Sequence, residues 1–188
     1  DRMRSLALAA RQLREAGAPA DKPAPFWSQP LQTGLTVILV HDTPQMMRSV
    51  SEAELAADGL DTDMAHQQAM QDLARFCHER DLQVGSADGK LFQVQLDGNY
   101  EASTYFLSSI WDDIAEEFGA PPAALFAARN IVIYANSGDA EAMRLLEIVA
   151  APRAEQPAYA IAPEQILIWT EDGWALHQSA PQSQDRPN

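Results

Sequence analysis

Three places in the chain set reactive side chains close together: His41-Asp42, Cys77-His78, and the run Asp112, Asp113, Glu116, Glu117. A thiol needs a base to become a nucleophile at neutral pH, which His78 could supply to Cys77 if the two faced each other. Neighbours on a helix diverge by about 100° and do not. Cys77 also closes an apolar stripe formed by His66, Met70, Leu73 and Cys77 at spacings of four, three and four. A stripe at that spacing is a core face, so Cys77 is expected to be a buried, inert thiol. His66, at the edge of the stripe, reads as a half-buried histidine bonded to backbone rather than a ligand.

His41-Asp42 has the form of the metal-binding dipeptide of phosphohydrolases, but that use needs further His and Asp ligands carried on helices, and this pair follows a strand. The simpler reading is a strand-end turn in which Asp42 accepts backbone N–H bonds ahead of Pro44. If folding gathers the buried strand ends, His41, Asp42 and Arg129 could serve a small-molecule hydrolase. The histidines fall at 41, 66, 78 and 177, with no H-x-x-x-H or H-E-x-x-H spacing, and Cys77 is the single cysteine. A catalytic zinc site or thiolate cluster is therefore not expected. Gly85 and Gly89 belong to a hairpin pattern, and the Gly138 turn lacks the lysine and glycine spacing of a phosphate loop. No cofactor and no metal are expected.

The acidic run breaks a local rule. Asp112, Asp113, Glu116 and Glu117 fall in the last two turns of an expected helix. The helix dipole opposes anions there, and like charges four residues apart repel, each at a cost of tenths of a kcal/mol. In an acidic protein such a run is often only a solvated face, yet broken local rules tend to mark functional places. The four carboxylates are the candidate contact for a basic protein partner, for the arginine-rich N-terminal segment, or for a divalent cation. An EF-hand is excluded because the carboxylates lie on a helix rather than in a loop of the required pattern.

The elements that must position these groups follow from periodicity and punctuation. Residues 1 to 16 are expected as a basic helix with Met3, Leu6, Ala10 and Leu13 at helical spacing; four arginines against two carboxylates give it a net charge of +2. Such a segment could dock on the domain or on a membrane surface, with docking on the domain the simpler reading. Residues 17 to 33, with Pro19, Pro23, Pro25 and Pro30, read as a stiff connector whose Phe26 and Trp27 fold back onto the core. A single domain is expected over residues 34 to 180. It opens with a central, doubly buried strand at Leu35 to Val40 and a short strand at Met46 to Val50.

Ser51 and Glu54 form a capping box that starts a helix stopped by Gly59, and Asp61 to Asp63 opens a longer one. Asp88-Gly89 joins the arms of a hairpin, Leu82 to Ala87 and Lys90 to Leu96. A helix is expected from Glu101 to Phe118, a buried strand at Ile131 to Ala135, and a helix at Ala140 to Ala150. A terminal hairpin pairs Ile166 to Thr170 with Trp174 to Gln178. Residues 181 to 188 read as a disordered tail. The class is α+β: a mixed or mostly antiparallel sheet packed by helices, with a terminal hairpin.

The 188 residues fit one domain, and 46% hydrophobic with 21% charged residues is ordinary globular usage. A net charge of −14 opposes binding to nucleic acid or to an anionic membrane. The apolar stretch near the start, Leu6 to Ala10, falls far short of the roughly 18 residues of a membrane span, and no transmembrane segment is expected. One cysteine forbids an intrachain disulfide and suits a reducing compartment or a fold that does not depend on redox; a cytoplasmic location is the expectation.

The order of several short motifs adds a family resemblance. An apolar strand ending in Asp42, the segment Val50-Ser51-Glu52-Ala53-Glu54-Leu55, the helix at Ala69 to Leu73, then Tyr100-Glu101-Ala102-Ser103 and the strand entry Ala128-Arg129-Asn130 together resemble the YtpQ-like family of bacterial proteins of unknown function. The likeness spans about residues 31 to 180. The family pattern has Ala or Ser, Arg and Asp after a Pro, whereas Ala127-Ala128-Arg129-Asn130 lacks the Pro and has Asn for Asp. The resemblance implies a soluble bacterial domain and names no reaction. The functional expectation is a non-enzymatic interaction or regulatory module using Asp112, Asp113, Glu116 and Glu117. The alternatives are the hydrolase above and a membrane-associated protein held by its N-terminal helix.

Overall fold

A computed structural model describes residues 3–9, 26–43, 46–86, 88–151 and 160–177. In chain order the strands are β1 (Met3–Ala9), β2 (Ser28–Pro30), β3 (Thr36–Asp42), β4 (Met47–Ser49), β5 (Gln83–Ser86), β6 (Leu91–Gln95), β7 (Pro122–Ala128), β8 (Ile131–Asn136), β9 (Ile166–Thr170) and β10 (Gly173–Leu176). The helices are α1 (Glu52–Ala57), α2 (Thr62–Glu79), α3 (Ser108–Phe118) and α4 (Ala140–Ala150), and a 3-10 helix occupies Glu101–Phe106. Helices and antiparallel sheets make the class α+β, as the sequence predicts.

The smaller sheet is built around β3, whose Val37, Ile38, Leu39 and Val40 are all buried. β1 pairs with one of its edges. β2 takes Thr36–Ile38 and β4 takes Val40–Asp42, so these two short strands divide the other edge between them. An apolar run bounded by polar turns makes a strand that needs cover on every side, and here it has it. Ala65, Ala69, Leu73 and Phe76 of α2 belong to the core that includes these β3 residues. The buried stripe of α2 is therefore centred one residue before the expected one, leaving His66 and Met70 half-buried at its margin. Ser51 caps α1 in the predicted box, its hydroxyl accepting from the Glu54 amide and the Glu54 carboxylate accepting from the Ser51 amide.

The larger sheet runs β10-β9-β7-β8-β6-β5, antiparallel at every step. Its centre, β7, is buried at all seven positions. Ala124 and Phe126 look to the core shared with Trp111 and Ile114 of α3, while Ala123, Leu125 and Ala127 look to the core shared with Ala142, Leu146 and Ala150 of α4. One helix thus covers each face. Leu31, Leu82, Phe106 and Ile110 each pack against the core of the smaller sheet and α2 and against the core of the larger sheet and α3, joining the two sheets through one apolar seam.

Four expectations need correction. Residues 3–9 form an edge strand rather than the start of a helix: a short apolar run fits either period, and antiparallel pairing with β3 decides it. The rest of the expected helix, residues 1, 2 and 10 to 16, lies outside the described residues, as do residues 17 to 25, Gln178 and the tail at 181 to 188. Second, the core begins before residue 34, because β1 and β2 belong to the sheet that β3 organises.

Third, the helix expected from Glu101 to Phe118 is two pieces that break at Leu107, with φ −95° and ψ 78°. The Thr104 carbonyl thus ends the 3-10 helix, accepting the Leu107 amide at 3.0 Å, and it also accepts from the Trp111 indole at 2.7 Å. Fourth, β7 has no counterpart among the expected strands, although Ala128-Arg129-Asn130 does lie at its exit.

Candidate functional site

β3 carries His41 and Asp42 as consecutive residues in unbroken register with β4, His41 opposite Arg48 and Asp42 opposite Met47. The pleat sends consecutive side chains to opposite faces of a sheet, so these two do not aim at one point. Both are half-buried, and the His41 Nε2 is buried with no hydrogen-bond partner among the described residues. Arg129 lies in the two-residue turn joining β7 to β8 in the larger sheet. Its carbonyl accepts from the Ala102 amide at 3.0 Å, fastening that turn to the 3-10 helix.

Arg48, opposite His41, is held by the Glu54 carboxylate. The Ser51 amide, then the Arg48 guanidinium and the Ser51 hydroxyl, draw the Glu54 carboxyl down from its ordinary 4.5 to about 2. Arg48 is thus committed to the start of α1.

Cys77 is buried on α2. Loss of solvent, reinforced by the Asp97 and Glu101 carboxylates, pushes its thiol up to about 12, far from a thiolate at neutral pH. His78, the next residue, is exposed on another face. His66 lies between the rings of Trp27 and Phe106, with centroids 6.3 and 6.2 Å away. Among the described residues, no group of three or more His, Cys, Asp or Glu side chains is arranged to hold a metal ion.

All four residues of the acidic run are exposed. α3 buries Trp111 and Ile114 against the larger sheet and turns Asp112, Asp113, Glu116 and Glu117 outward. Gly119 closes the helix with φ +64°, in the left-handed region that glycine enters without strain. Among the described residues none of the four carboxylates takes part in an ion pair. Asp112 Oδ1 accepts from the Trp169 indole of β9 at 2.8 Å, a contact between side chains 57 residues apart. On the inner side, burial and then the Glu117 charge push the Tyr134 hydroxyl up to about 12.

Sequence reasoning missed Trp169, because an aromatic residue in an apolar strand reads as core. It also missed Glu101, which is 4% exposed. Glu101 Oε1 accepts from the Leu96 and Gly98 amides at 3.1 and 2.7 Å and holds the turn after β6. The signal for it was Asp97-Gly98-Asn99, a turn whose amides need an acceptor.

One further concavity, of about 430 Å3, opens beside the β5–β6 edge. Gly85, Leu91, Gln93, Gln95 and Ile133 line it, and none of the candidate catalytic residues does.

No family model, curated protein or solved structure gives a significant match to the chain. Among the described residues, no helix is long and apolar enough to cross a membrane.

Proposed function

We propose that the chain is a non-enzymatic interaction or regulatory domain that binds a basic protein segment through the outward face of α3. The observation that carries this reading is the set Asp112, Asp113, Glu116 and Glu117, all exposed at the C-terminal half of the helix. Anions there work against the helix dipole and against each other, and no cation among the described residues offsets them by pairing. A lysine- or arginine-rich partner relieves both conflicts on binding. It also gains from the long-range field of a protein with a net charge of −14.

The motif order shared with the YtpQ-like family and a cytoplasmic location belong to the same proposal, the latter supported by the lone thiol of Cys77. The partner is a protein rather than nucleic acid, since the same charge repels phosphates.

The test compares the full chain with the variant Asp112→Asn, Asp113→Asn, Glu116→Gln, Glu117→Gln as baits for pull-down at low and high salt. Basic proteins retained by the native chain at low salt, and lost from the variant, are expected. An identical set of bound proteins on both baits would overturn the reading.

A further inference from the structure

We draw no further inference here: the strongest candidate, the open concavity beside the β5–β6 edge of the larger sheet, is an unpartnered sheet face, and nothing in the structure shows what covers it.

Discussion

Glu54 shows how one side chain can serve two elements. Its carboxylate accepts the Ser51 amide that opens α1 and also holds Arg48 of β4. Because folding lowers its carboxyl from 4.5 to about 2, the charged form contributes stability above the higher value, and that contribution is lost as pH falls toward the lower one. Denaturation of the native chain and of Glu54→Gln should therefore differ at neutral pH and converge between pH 4.5 and about 2. A gap that stays constant through that window would show that the charge is not what holds the cap.

Cys77 makes the opposite case, a reactive type made inert by its surroundings. With its thiol near 12, it should react with dithionitrobenzoate only when the protein is unfolded, whereas fast labelling of the native protein would contradict its burial.

Elements were legible where local chemistry and tertiary need agree. The Ser51–Glu54 box, the Asp88-Gly89 turn and the helix at Ala140–Ala150 were all readable, since cap, turn residue and period specify them without knowledge of neighbours. β7 was not. Its sequence, Pro-Ala-Ala-Leu-Phe-Ala-Ala, is rich in a helix-favouring residue, and only its place between two helices explains why small side chains suit a strand. The alanines let α3 and α4 approach both faces of the sheet.

Enlarging one of them should therefore be costly. Ala124→Leu is expected to destabilise by about 1–3 kcal/mol in chemical denaturation, as overpacking does. The same change at an exposed alanine, such as Ala74→Leu, should do almost nothing. The break at Leu107 was invisible for a related reason, because the Trp111 indole that claims the Thr104 carbonyl comes from the next helix. The site was half legible: the acidic run could be found by its spacing, but its aromatic neighbour Trp169 could be placed only by the sheet.

At the scale of the molecule, the proposed role of the acidic face sets stability against association. Neutralising Asp112, Asp113, Glu116 and Glu117 removes like-charge repulsion and an unfavourable dipole contact, each worth tenths of a kcal/mol. Asn at 112 keeps an acceptor for Trp169. The variant used in the pull-down should therefore melt no lower than the native chain. A marked fall in Tm would mean that the carboxylates support the fold and are not kept for a partner.

The bond from Trp169 to Asp112 also has an optical side. Trp169, Trp174 and Trp111 form a chain of indoles, with ring centroids 5.1 Å apart in the first contact and 4.8 Å in the second. The outermost of them has its N–H on the acidic face. Whatever docks on Asp112 changes the electric field at an indole coupled to two others, so the molecule carries its own unlabelled reporter, readable in emission and in near-ultraviolet dichroism.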